Sequence, residues 1–248
     1  MPLKTTPTMK KTLTLLTLLL GMCSLAAAQT ADDIISKNIA AMGGQDKLNS
    51  IKTVYQEDSI FAGGAKLPLK AWMVDRKAMR AEFSFSGMTG FSILRNDSGW
   101  NFAPFQGQTA PEPIPADEVK KGQSELSITD AFVNYKDKGY KVTYEGMDDA
   151  QGSQTYKLKV TITDSVSETY YIDPDTYYVI QVKSKATVNG KVHEGTETRS
   201  DYKKTTDGYI FPMETNSSDF GDIKTFTVKV NSPIDNSIFS PSVKVAAK

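Results

Sequence analysis

The chain has 248 residues, with 29 lysines and arginines against 29 aspartates and glutamates, one histidine and one cysteine. Evenly balanced charge offers no basic face for nucleic acid. One cysteine cannot build a disulfide framework within the chain.

Lys10 and Lys11 precede an apolar run over 13–20, and Ala26-Ala27-Ala28 stands before Gln29. A basic start, a short apolar middle and an A-x-A exit predict a secretory signal peptide over 1–28. The run is too short for a permanent membrane span. Cys23 falls inside this leader, and Met22 before it is not the small residue that lipoprotein processing wants. Cleavage after Ala28 leaves Gln29 to Lys248, with 26 basic and 29 acidic side chains and no thiol. Thiolate nucleophiles, zinc–cysteine sites and iron–sulfur clusters are then excluded. The expected product is one periplasmic domain over 29–248.

Ile34, Ile35, Ile39 and Met42 recur at near-helical spacing and predict a helix over 31–42, stopped by Gly43-Gly44. A short helix over 45–50 carries Leu48 inward. The texture then changes to strands. Those at 54–61 and 67–74 flank a Gly63-Gly64 turn, and 79–85, 91–94 and 99–102 follow. Residues 103–116 are rich in proline and read as a loop, a flap at a cavity mouth. Residues 116–135 are the one later helical candidate, interrupted at Gly122. Beyond 141 the chain reads as a meander of strands, divided by turns such as Asp173-Pro174-Asp175, Asn189-Gly190 and Asp207-Gly208.

Tyr156, Leu158, Val160 and Ile162 share one strand face, with Lys157, Lys159 and Thr161 opposite. A sheet with one apolar face has to hide it. Two helical segments cannot cover about ten strands tightly. The expected fold is therefore mainly β (α+β): a curved antiparallel half-barrel of about ten strands, with an N-terminal helix and a helical lid over a hydrophobic cavity.

Several stretches carry a family likeness. They are the opening ADDIISKNIAAMGGQDKLNSIK, LKAWMVDR over 69–76, NDSGWNF over 96–102, YYIDPDT over 170–176, YKKTTDGYIFP over 202–212 and VNSPIDNSIF over 230–239. In order and spacing the chain resembles the outer-membrane lipoprotein-sorting proteins, the LolA/LolB-like periplasmic carriers, over nearly all of 31–240. The resemblance implies a cavity for acyl chains of lipoproteins or other apolar ligands, in a monomer without cofactor, with envelope membrane proteins as further partners. It also implies a basic residue that holds the lid. Arg76 is the nearest match, and Arg80 can be aligned as well.

Trp72, Met73, Val74, Met79, Phe83, Phe85, Phe91, Trp100 and Phe102 gather in one stretch. Such a set suits a cavity lining or an ordinary core. The lid or rim falls to Arg76, Leu126, Ile128 and Phe132. Catalysis is not expected. His193, Glu194 and Glu197 make H-E-G-T-E, in which His193 and Glu197 share a strand face without an evident third metal ligand, and no G-x-S-x-G elbow or phosphate loop occurs. Asp148-Asp149 and Asp173/Asp175 read as turn carboxylates. The expected function is a periplasmic carrier that shields acyl chains. The alternative is a non-enzymatic envelope module that binds a protein partner with the same half-barrel.

Overall fold

Strict alternation pleats a chain with its apolar side chains on one side, and most of this chain obeys it. The computed structural model describes residues 30–242 other than positions 63, 189 and 219. The leader expected over 1–28, with Cys23, lies outside the described residues. The strands are β1 (Thr53–Ala62), β2 (Ala65–Val74), β3 (Ala78–Phe85), β4 (Met88–Arg95), β5 (Gly99–Phe102), β6 (Glu112–Pro113), β7 (Lys141–Ala150), β8 (Ser153–Thr163), β9 (Val166–Ile172), β10 (Val179–Val188), β11 (Lys191–Lys204), β12 (Ile210–Ser217) and β13 (Gly221–Val230). They form one sheet of 13 strands in the order β6-β5-β4-β3-β2-β1-β13-β12-β11-β10-β9-β8-β7. Pairing is antiparallel throughout. The sheet is open and curled, a mainly β half-barrel as expected. Its strands outnumber the ten anticipated, in part because Glu112 and Pro113 pair with Asn101 and Trp100 inside the stretch read as a loop.

The strand order decides where the connections go. β1 sits in the middle; the chain runs outward to β6 at one edge and restarts at β7 at the other. The 114–140 connection therefore crosses the sheet from edge to edge. It does so as α3 (Ala116–Lys121), a 3-10 turn Gly122–Leu126 and further turns: the break falls at Gly122 as expected, but the helical candidate does not resume to 135. A Cβ added to Gly122 would lie 2.8 Å from Leu94 Cδ2, so the crossing is pressed onto β4 at that point.

Near the N-terminus, α1 (Ala31–Ala41) buries Ile34, Ile35 and Asn38, and α2 (Gln45–Ser50) buries Leu48. Gly43 and Gly44 take φ of 104° and 97° between them, a left-handed turn open to glycine. Asn38 Nδ2 donates to the Tyr177 carbonyl at 2.7 Å and ties α1 to the β9–β10 turn. The largest core joins Ile34 and Ile35 to Val54, Phe132, Leu158, Val160, Tyr170, Ile172 and Val230.

Candidate functional site

Residues directly opposite in an antiparallel pair point to the same side of the sheet. Pairing of Val54 with Met73, of Met73 with Met79 and of Met79 with Leu94 places all four on one face. Val54 also faces Val230, and on the other limb Val182, Tyr170 and Leu158 line up in turn. α1, α3 and the 126–133 stretch pack on these residues. This is the inner face.

Its two halves differ. Under β7–β10 the inner face is filled: Phe132 and Leu158 are fully buried, and Phe132 meets Tyr170 edge-on at 4.8 Å. Under β1–β4, Ile60, Leu67, Leu69, Ala71, Met73, Ala81 and Phe83 are only half-buried, and Phe85 and Met88 at the rim are exposed. Phe105, from the proline-rich connection, closes one end against Phe83 and Phe85 at 5.6 and 5.9 Å. A Cβ on Gly90 would lie 2.6 Å from the Phe102 carbonyl oxygen and 2.8 Å from Phe83, so glycine lets that end pack. The result is an apolar trough with a partly wet surface.

A polar seam runs between the halves. Arg199 Nη1 contacts Asp130 Oδ1 at 2.7 Å, and its Nε contacts Glu197 Oε1 at 2.5 Å. Burial works against this charge, but Asp130 and Glu197 more than offset it and hold the guanidinium protonated. Burial raises the Glu168 carboxyl, with the Tyr170 hydroxyl donating to it. The Ala131 N–H donates to the Tyr170 hydroxyl oxygen at 2.8 Å. An ion pair, a hydrogen bond and a ring contact thus fasten residues 130–132 to the sheet. Nearer the trough, Asp58 stands opposite Leu69 and Thr225 and is 8% exposed, with Oδ1 unpartnered among the described residues. Burial pushes its carboxyl up to about 6.

The pleat divides the nine residues expected to line a cavity. Met73, Met79, Phe83 and Phe85 lie on the inner face; Trp72, Val74, Phe91, Trp100 and Phe102 lie on the outer one. Outside, the closing 234–239 segment covers Phe91 and Phe102 with Ile234, Ile238 and Phe239. Arg80, 8% exposed, stacks on Phe91 at 4.1 Å and donates through Nη1 to the Ile238 carbonyl at 2.9 Å, clamping this tail. Arg76 is exposed beside Asp75 in the β2–β3 turn. Leu126 is buried against Leu94 and Val119, while Ile128 and Phe132 join the large core. The residues that sequence reading missed are Ile60, Leu67 and Leu69 in the trough and Arg199 in the seam. Alternation around Met73 points to Leu67 and Leu69, and the β1–β2 pairing brings Ile60 beside Leu67.

Asp173 behaves as expected, its Oδ1 accepting from the N–H groups of Asp175 and Thr176 at 3.1 and 2.7 Å. Asp148 and Asp149 do not: they lie within β7, where Asp148 Oδ2 pairs with Lys157 Nζ at 2.9 Å. A longer hairpin than the turn signal suggested carries them into the ladder. His193 is exposed on β11, and Glu194 and Glu197 turn to Lys185 and Arg199 respectively.

An open, curled antiparallel sheet with a few short helices has the LolA-like fold. Among solved structures, the chain is similar to a LolA superfamily protein from Nitrosomonas europaea, with a TM-score of 0.54 at 12% identity over 86% of this chain and 98% of that one. It is similar to an outer membrane lipoprotein-sorting protein domain from Vibrio parahaemolyticus, with a TM-score of 0.53 at 13% identity over 84% and 94%. A DUF1329 family protein from Desulfovibrio piger gives 0.51 at 13% identity over 84% and 97%. No protein-family model matches the chain, and no curated protein matches it in sequence. At these identities the likeness concerns the fold.

Proposed function

We infer that the protein is a non-enzymatic periplasmic carrier for acyl chains or similar apolar ligands, held in the inner trough of β1–β4. The observation that carries this reading is the half-buried row of Leu67, Leu69, Ala71, Met73, Ala81 and Phe83 on the face that the helices cover. Apolar surface left half-wet on an otherwise sealed face gains about 0.8 kcal/mol for each methylene laid on it. The 126–133 crossing borders the trough, and the Asp130–Arg199 pair fixes its position. The lipoprotein-sorting domain of like fold supports the same class of ligand.

Native mass spectrometry with lipid extraction tests it, on protein spanning 29–248 purified gently from the periplasm. Co-purifying acyl species, displaced by a fluorescent fatty acid, are expected. A clean apo mass, no uptake of the fluorescent chain and one stoichiometric protein partner would overturn it in favour of a protein-binding module.

A further inference from the structure

A second hollow lies away from the trough, where α2, the start of β1, the β2–β3 turn and the 129–138 stretch meet. It encloses about 210 Å³ and is lined by Lys52, Arg76, Lys138, Asn49, Asn134 and Asp75, with Thr129 and two apolar residues behind them. Three cations face one carboxylate. Both oxygens of that carboxylate are already engaged: Asp75 Oδ2 with Arg76 Nε at 3.2 Å, and Oδ1 with the Ile128 N–H at 3.1 Å. Lys52 Nζ donates to the Asn49 carbonyl at 2.8 Å. Among the described residues, neither Lys52 nor Lys138 has a carboxylate within ion-pair distance. Lys138 is half-buried, and burial together with the neighbouring Arg76 draws its pKa down. Side chains of this kind are normally buried only when paired.

We propose that this hollow binds a phosphate-class dianion, with Lys52, Arg76 and Lys138 as its cationic walls. The net charge of the lining, two positive, matches a phosphate monoester or inorganic phosphate. Asn134 closes the wall from the crossing side: its Nδ2 donates to Asn49 Oδ1 at 2.7 Å, and its Oδ1 accepts from Gln45 Nε2 at 3.0 Å. The turn below it is already bonded to the crossing, since the Arg76 N–H donates to the Leu126 carbonyl at 2.7 Å. A bound dianion would therefore staple the sheet turn, α2 and the crossing together, and its occupancy would raise the stability of the crossing. The site stands apart from the trough and does not depend on the carrier reading.

The test is titration with inorganic phosphate at constant ionic strength, followed by phosphorus NMR and thermal melting, with chloride as the reference anion. Phosphate is expected to raise the melting temperature above the chloride reference. Lys138→Gln should weaken phosphate binding at least tenfold while a fluorescent acyl probe binds as in wild type, and Arg76→Gln should weaken phosphate binding to a similar extent. Sedimentation with phosphatidylcholine vesicles, with and without phosphatidic acid, identifies the source. Retention by phosphatidic acid that Lys138→Gln abolishes marks a lipid headgroup; phosphate binding without such retention marks a free anion. Phosphate behaving as chloride does, or binding unchanged in both variants, overturns the proposal.

Discussion

The two halves of the inner face share one sheet and one pleat, yet one is sealed and the other is not. Under β7–β10, α1 and the ring of Phe132 sit directly on Leu158, Tyr170 and Ile172, and these are buried. Under β1–β4, cover is confined to the ends, where Leu94, Val119 and Leu126 form a small cluster and Phe105 closes the rim. Alternation gives both halves an apolar face; the amount of chain laid over it decides whether that face becomes core or binding surface. The Asp130–Arg199–Glu197 seam marks the change from one to the other.

The sharpest way to break this contrast is to hollow out the sealed half. Phe132→Ala removes a fully buried ring and should cost about 3–5 kcal/mol in urea unfolding, the range for a large cavity. Next, Arg199→Met strands Asp130 and Glu197. Complete burial of such a broken pair costs 3–5 kcal/mol, and the partial exposure here brings the expected loss to about 2–3 kcal/mol. Hydrogen exchange at the Ala131 amide, which the adjoining Tyr170 hydroxyl protects, should accelerate in that variant.

Asp58 tests the boundary from the trough side. Its folded pKa of about 6 lies above the ordinary value of 3.8, so folding favours the protonated form. The fold feels no cost from this group below pH 3.8 and loses stability as pH rises through about 6. Asp58→Asn should therefore gain on the order of 2 kcal/mol at pH 7 and nothing at pH 3.5, by thermal melts across that range. A variant with an unchanged pH profile would show that Asp58 is solvated in solution. The smallest expected effect on stability belongs to the open half: Leu69→Ala should cost about 1 kcal/mol of folding, because the side chain is half-wet. It should nevertheless weaken a fluorescent acyl probe severalfold, whereas Trp72→Phe on the outer face should leave the probe unaffected.

Part of the proposed trough is legible in the residues alone. The clustering of methionine and phenylalanine that singles out Met73, Met79 and Phe83 is visible in the sequence, and the strands β2 and β3 that carry them lie close to the expected bounds. Trp72, Phe91 and Phe102 were grouped with them because composition does not say which side of a sheet is inside. Arg199 escaped notice because nothing local in T-E-T-R-S-D sets it apart; its meaning comes from Asp130, 69 residues away. The helical candidate over 116–135 holds only to Leu126, for a similar reason. Apolar spacing there is compatible with helix, but residues beyond 126 fold as turns that carry Phe132 into the large core and Asp130 to Arg199.

The curled antiparallel sheet, its hairpins and its N-terminal helix follow from local rules: period-two alternation, glycine and asparagine turns, and 3.6-residue spacing before Gly43. These act between neighbours a few residues apart, so the linear pattern carries them. Which pleat face is covered, which charges meet across it, and where a hollow collects three cations depend on the order β6 to β1, β13 to β7. That order places the first strand beside the last and forces the middle of the chain over the inner face. Only the closed tertiary structure could decide it, because burial and ion pairing act between residues far apart in sequence.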